Sequence, residues 1–281
     1  MEHIKDLSGH SGCVLGLYKE NDNIFLRKSS GDKDYNKRLK SQCLKQCRFR
    51  LDKIKTPEVY RYGIGDDGLF YFDMEFVNGV TCAQHMNYIK IKDIVNLIDL
   101  LFEVLPVDNS YPCDIADQIF KNKIKSLHDK WYNYNSCVKS AFDKLENFDF
   151  KDIPLSTCCG DLTLENIILS SSGIYVIDLL DSFYNSWMID VAKLLQDIDL
   201  GWSYRHQKRD FNLNLRLATA KQAIFDKILA LPDGKKILTK IYHILLLNVL
   251  RIYPYAKDEE TFKFLDNATE QVIKTIDTMG D

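Results

Sequence analysis

Residues 159–181 read CGDLTLENIILSSSGIYVIDLLD, and three of them suit the movement of a phosphoryl group from a nucleotide. Asp161 is followed by Asn166, and a strand-like run, Gly173-Ile174-Tyr175-Val176-Ile177, ends at Asp178. Such a transfer needs one carboxylate to orient and deprotonate the acceptor hydroxyl. It also needs a carboxylate and an amide oxygen to hold the magnesium that bridges the phosphates. Asp161 fits the first role, and Asn166 with Asp178 fits the second. The polar turn Ser170-Ser171-Ser172 ahead of Gly173 allows a short hairpin to bring Asp178 back beside Asn166.

The composition suits a soluble enzyme. At 281 residues the chain can form one large or two modest domains, and 46% apolar and 12% aromatic residues supply a core. A net charge of −3 argues against general nucleic-acid binding, which needs a basic face. Residues 1–6 are polar and do not read as a secretory signal. The longest apolar run, residues 244–250, is too short to span a bilayer and reads as a core helix. The cysteines at 13, 43, 47, 82, 113, 137, 158 and 159 form no C-x-x-C pair and read as reduced thiols of a cytoplasmic protein. The six histidines are scattered, without the spacing of a zinc site.

The 159–181 stretch resembles the phosphotransferase family that includes aminoglycoside phosphotransferases and choline kinases. The family pattern is H-G-D-x-x-x-x-N, then an apolar strand and I-D-x-x-D. Here it reads Cys159-Gly160-Asp161-Leu162-Thr163-Leu164-Glu165-Asn166, then Ile177-Asp178-Leu179-Leu180-Asp181. The run Asp190-Val191-Ala192-Lys193-Leu194-Leu195 matches the family's D-x-A-K-L-L helix, and Leu200-Gly201-Trp202 is similar to bacterial members. The resemblance is strong from about 155 to 205 and moderate over the first 80 residues. Cys159 departs from the family's His, which packs behind the loop. A Cys is a small hydrophobe that fills part of that space, so the expected consequence is a looser loop. A nucleophilic Cys158 or Cys159 would need positive neighbours, and Thr157, Gly160 and Asp161 supply none; both read as buried thiols on a strand.

The resemblance implies an α+β, two-lobe, protein-kinase-like fold. A small β-rich nucleotide-binding lobe would span 1–79, and a larger helical lobe for catalysis and acceptor binding would span 80–281, with the nucleotide in the cleft between them. In the first part, Cys13-Val14-Leu15-Gly16-Leu17-Tyr18 and Asn23-Ile24-Phe25-Leu26-Arg27-Lys28 read as strands joined by the turn Lys19-Glu20-Asn21-Asp22. Ahead of them, Ser8-Gly9-His10-Ser11-Gly12 offers backbone N–H groups at Ser8, Gly9, Ser11 and Gly12 to phosphate oxygens. In the kinase-like layout the strand after such a turn carries a Lys on the nucleotide phosphates. Alternation sets Leu26 and Lys28 on one face and Phe25 and Arg27 on the other, and Lys28, at the strand end, takes that role.

A helix is predicted over 34–51, with Tyr35, Leu39, Gln42, Cys43, Gln46 and Phe49 at spacings of three and four. Relatives use a Glu here to orient the phosphate-binding Lys. This segment has none, which leaves Gln42 or Gln46 as a weaker partner. A strand starts within 56–60, Gly65-Asp66-Asp67-Gly68 marks a hairpin turn, and a second strand covers 69–77. The family places its hinge at the end of that strand, so Glu75, Phe76 and Val77 are the expected adenine contacts. Further helices are predicted over 91–105, 119–131, 187–203, 209–229, 233–251 and 258–277, with Pro106 and Pro112 as breaks.

The implied activity is magnesium-dependent transfer of the γ-phosphate of ATP (or GTP) to a hydroxyl of a small metabolite, a sugar or sugar-like alcohol. Asp161 would be the base, Asn166 and Asp178 the metal ligands, Lys28 the phosphate clamp, Asp181 a second candidate ligand, and Asp190 a partner of loop amides. Two alternatives stand beside it. One is a choline or ethanolamine kinase with an aromatic cage from Trp187, Trp202 and Tyr204. The other is a catalytically dead kinase-fold module that binds nucleotide. Residues 179–189 contain no A-P-E motif and leave little room for a peptide platform, so the expected acceptor is a small molecule, with Asp197, Asp199, Trp202 and Arg205 near the pocket mouth.

Overall fold

The computed structural model describes residues 1–7, 12–50, 53–103, 105–107 and 110–280. The chain divides into two compact units, Met1–Cys82 with Asn166–Asp181, and Ala83–Glu165 with Ser182–Asp281.

The elements follow in chain order. They are β1 (Glu2–Leu7), β2 (Cys13–Glu20), β3 (Asn23–Ser30), α1 (Asn36–Arg48), β4 (Ile54–Lys55), β5 (Val59–Ile64), β6 (Phe70–Glu75) and β7 (Gly79–Thr81). Then come α2 (Cys82–His85), α3 (Ile91–Glu103), α4 (Ala116–Trp131), α5 (Ser136–Asn147), β8 (Ile167–Ser170) and β9 (Gly173–Val176). The chain closes with α6 (Trp187–Ile198), α7 (Phe211–Leu229), α8 (Gly234–Leu250) and α9 (Glu259–Gly280).

In the first unit, among the described residues, one antiparallel sheet runs β1-β2-β3-β6-β5 and a second runs β4-β9-β8-β7. The turn between β2 and β3 has Asn21 and Asp22 both left-handed, φ 49° and 67°, the conformation that matches strand twist in a two-residue hairpin. Leu39 and Cys43 of α1 pack on Phe70, Phe72 and Met74 of β6, which gives this unit its core. On the other face, Asp73 is 1% exposed and holds two guanidinium groups: Arg27 Nε at 2.7 Å from β3 and Arg61 Nε at 2.5 Å from β5. Both arginines stand in register with Asp73, so one carboxylate ties three adjacent strands.

Strand β1 was not foreseen. Five of its six residues are exposed, so it lacks the apolar alternation that marks a half-buried strand. Lys28 and Arg27 do lie on opposite faces, as alternation predicts. Hairpins β2–β3, β5–β6 and β8–β9 stand where their turn residues placed them.

The second unit is helical. Residues Ile241–Leu250 of α8 are all buried, and α6 and α9 pack against this helix. Helix α5 was also missed, although Val138, Ala141, Phe142 and Leu145 follow helical spacing and Asn135 caps it by accepting from Val138 N at 2.8 Å. The helix expected over 187–203 ends at Ile198. Gly201 at φ 82° closes it, its N–H reaching Asp197 O at 2.9 Å in a left-handed cap. Among the described residues no helix is long and apolar enough to cross a membrane.

The Asp73 cluster yields a stability prediction. Asp73→Ala leaves two guanidinium groups without their shared anion. Arg61 is 45% exposed and screened by water, so the expected loss is on the order of 2–3 kcal/mol in urea unfolding, below the range for a fully buried pair. A loss under about 0.5 kcal/mol would show that the strands do not depend on this carboxylate.

Candidate functional site

The first unit holds one set of candidate groups. Lys28 is 5% exposed, and its Nζ donates to Asp178 Oδ1 at 2.5 Å and to Gln42 Oε1 at 3.3 Å. Of the two glutamines on α1, Gln42 is therefore the partner of Lys28. Gln46 instead donates to Pro57 O at 2.8 Å. Asp178 is brought to Lys28 by the β8–β9 hairpin, with Ile177 N donating to Asn166 O at 2.9 Å where the hairpin begins and ends. Asp178 has φ 55°, a left-handed conformation uncommon for a residue with a Cβ. That turn is held from α1, since Lys45 Nζ donates to Leu180 O at 2.5 Å.

Asp178 offers a carboxylate that is one-third exposed, and Asn166 offers an amide oxygen. Two hard oxygen donors are what magnesium takes from a protein when phosphates and water complete its shell, so this pair fits the ion. Asp181 is exposed.

The second unit holds the other set. The loop from Ser156 to Leu164 lies along α6 in matched order. Ser156 Oγ accepts from Trp187 N at 2.7 Å. Asp190 accepts from Cys159 N at 2.7 Å and from Gly160 N at 2.8 Å. Lys193 Nζ lies 3.0 Å from Asp161 Oδ1. Asp197 accepts from Leu164 N at 2.6 Å. Asp190, Lys193 and Asp197 are spaced by three and four positions, so they share one helix face. Gly160 sits at φ 86°, where a Cβ would be strained, and this bend separates the amides held by Asp190 from Asp161.

Asp190 thus holds loop amides, as expected. Cys158 and Cys159 are buried, at 2% and 3% exposure, but they lie in this loop and not on a strand. The Cys159 amide serves a hydrogen bond outside any sheet ladder. The loop is gripped at this end through the Cys159 main chain. Lys193 was the residue that sequence reasoning left without a role. Its signal was its position three after Asp190 on the same helix.

Other expectations are corrected by burial. Asp197 is fully buried and binds Leu164 N, Ser203 N and Ser203 Oγ, so it braces the loop and does not line a pocket mouth. The Asp199 side chain is 5% exposed and meets Lys221 and Tyr242. Trp187 and Tyr204 are each 2% exposed, and Tyr204 Oη donates to Ala83 O, so with Trp202 they form no open aromatic cage. Trp202 is instead covered by Arg205, whose guanidinium carbon is 4.0 Å from the ring centroid.

Ser8, Gly9 and Ser11 lie outside the described residues. Gly12 accepts from Gly31 N at 2.8 Å and sits against the Tyr35 ring. Glu75 ends β6; its N–H donates to Glu58 O and its carboxylate accepts from Tyr175 Oη, so its side chain is engaged within the unit. Phe76 and Val77 follow in a segment outside any strand, with Phe76 37% exposed.

Solved structures decide the fold. The chain is similar to aminoglycoside phosphotransferase APH(4)-Ia (TM-score 0.62, 13% identity, 98% of this chain and 93% of that one). It is also similar to spectinomycin phosphotransferase APH(9)-Ia in complex with ADP and spectinomycin (TM-score 0.57, 13% identity, 96% and 92%). A third is a candidate fructosamine-3-kinase from Haemophilus somnus 129PT (TM-score 0.57, 14% identity, 96% and 90%). The chain has their fold. It is the α+β, protein-kinase-like fold expected from the sequence, with a strand-rich first unit and a helical second. No protein-family model matches the chain, and no curated protein sequence does.

Asp197 supplies a pH test. Burial pushes its carboxyl up to about 6 from the ordinary 3.8, against the lowering effect of its Ser203 and Leu164 donors. The folded value lies above the unfolded one, so this group's contribution to stability is full below about pH 4 and lost as pH rises towards 6. Asn does not titrate. The stability difference between wild type and Asp197→Asn should therefore move against wild type by on the order of 3 kcal/mol from pH 4 to 6 and stay level above that. Urea midpoints at stepped pH test this, and a pH-independent difference would refute it.

Proposed function

We propose that the chain is a small-molecule kinase that transfers the γ-phosphate of ATP (or GTP) to an alcohol, with a sugar or sugar-like alcohol as the acceptor. The observation that carries the reading is the pair of buried Lys28 with the partly exposed Asp178. Its partners are 150 positions apart, meet at 2.5 Å, and include a left-handed Asp at the end of a hairpin that starts at Asn166. A core does not need a lysine turned onto such a carboxylate, whereas a phosphate site needs a cation and a metal ligand side by side.

In this reading Lys28 holds the nucleotide phosphates. Asn166 and Asp178 hold magnesium, which neutralises charge on those phosphates when bound. Backbone groups of Glu75, Phe76 and Val77 meet the adenine, and those of Ser8, Gly9, Ser11 and Gly12 cover the phosphates. Asp161 orients the acceptor hydroxyl and takes its proton. Asp161 and Asn166 are close neighbours in the sequence, as a base and a metal ligand of one site would be.

The sugar-like acceptor draws support from the compounds named with the similar structures, hygromycin B with ADP, and spectinomycin with ADP. The buried positions of Trp187 and Tyr204 weigh against a choline-type cage. The eight cysteines are free thiols, which suits a reducing, cytoplasmic setting.

A metabolite library incubated with ATP and magnesium, read by ADP release and by label in low-mass products, tests the proposal. Label only in proteins, or no turnover with any compound, would reject it. Asp161→Asn should lower turnover by about 10²–10⁴-fold while nucleotide affinity stays near wild type. Asp178→Ala should lose the magnesium-dependent part of nucleotide affinity along with turnover. Nucleotide binding indifferent to both magnesium and this substitution would favour a module without catalysis.

A further inference from the structure

Every residue of α6 except Lys193 is buried. Lys193 is the one side chain of that helix able to reach out of the core, and it is used on Asp161. The pair is 3.0 Å apart, with side chains 13% and 21% exposed. Lys193 is itself steadied from below, since its Nζ donates to the buried Gln196 Oε1 at 3.2 Å. The loop ties on either side, Asp190 on Cys159 N and Gly160 N and Asp197 on Leu164 N, act on the main chain, whereas Lys193 meets the Asp161 carboxylate itself. A carboxylate that must meet an acceptor hydroxyl in one geometry gains from a fixed charged partner, because a misplacement of about 1 Å costs on the order of 10²-fold in rate.

We propose that Lys193 is a positioning residue for Asp161: its ammonium group fixes the carboxylate rotamer so that the acceptor hydroxyl meets it in line for transfer. The role rests on the phosphotransfer reading above. It has no counterpart in the contacts of Asp190 or Asp197, and it predicts coupling between one lysine and one carboxylate.

The test compares wild type, Lys193→Met, Lys193→Gln, Lys193→Arg, Asp161→Asn and the double variant Asp161→Asn/Lys193→Met. Each is given magnesium and γ-labelled ATP with water as acceptor, so that slow rates remain measurable, and each is melted to check folding. Lys193→Met should lower kcat by about 10–100-fold with KM for ATP changed less than about threefold. Lys193→Arg, which keeps a charged donor, should recover most of the rate. In the Asp161→Asn background Lys193→Met should cause no further loss, because its effect runs through the carboxylate. If Lys193→Met fails to fold, Lys193→Gln carries the same expectations.

Full activity in a folded Lys193→Met or Lys193→Gln overturns the proposal. So does a loss of the same size with and without Asp161, which would mark a general effect on the helix. Failure of wild type to release ADP with water and with every compound of the library sinks the kinase reading and this inference together. Wild-type turnover that needs Asp161 but not Lys193 sinks the inference alone.

Discussion

The geometry of the 156–164 loop depends on carboxylates in a buried helix that accept from main-chain amides. Asp190 is 1% exposed and takes two adjacent N–H groups, from Cys159 and Gly160; Asp197 is fully buried and takes one from Leu164. Burying a carboxylate is costly unless donors surround it, and the loop amides are those donors. The loop in turn has no ladder to satisfy its N–H groups, so it needs the carboxylates. Neither part is stable in this form without the other. This reciprocity explains how a helix with an otherwise apolar face tolerates several polar side chains, and why their spacing follows the loop in order.

The same dependence accounts for Cys159. A loop held by its backbone is indifferent to which small side chain stands at that position, provided it packs, and the thiol is 3% exposed. The demands on Gly160 are different. Its φ of 86° places the two amides on one carboxylate, and no other residue adopts that conformation without strain.

In the first unit the organising group is a cation. Lys28 lies within a strand, with a neutral amide on one side and Asp178 on the other. A glutamine in place of a second carboxylate leaves Asp178 as the charged partner, so charge balance at Lys28 is set by a residue at the end of a hairpin far along the chain. The left-handed Asp178 and the Lys45 contact to Leu180 show how that hairpin exit is fixed. On the opposite sheet face, Arg27, one position away, is committed to Asp73. Neighbouring cations thus serve unlike ends because strand alternation sends them to opposite sides.

The sequence by itself determined what local physics controls. The Asn21-Asp22, Gly65–Gly68 and Ser171-Ser172 turns fixed three hairpins, because their residues accept the backbone those turns require. Helical spacing located α3, α4 and α6–α9, and alternation separated Lys28 from Arg27. It did not reveal β1, an edge strand with no apolar face, nor that Cys158 and Cys159 belong to a loop. The tertiary structure alone decided the pairings that join distant segments: Gln42 and not Gln46 on Lys28, Asp178 on Lys28, Lys193 on Asp161, and Asp197 turned inward onto Leu164. These are contacts of charge and hydrogen bonding whose partners lie many residues apart. A composition or a period carries no record of which carboxylate will meet which amide, because that is settled only when the helix is buried and every polar group on it must find a donor or acceptor.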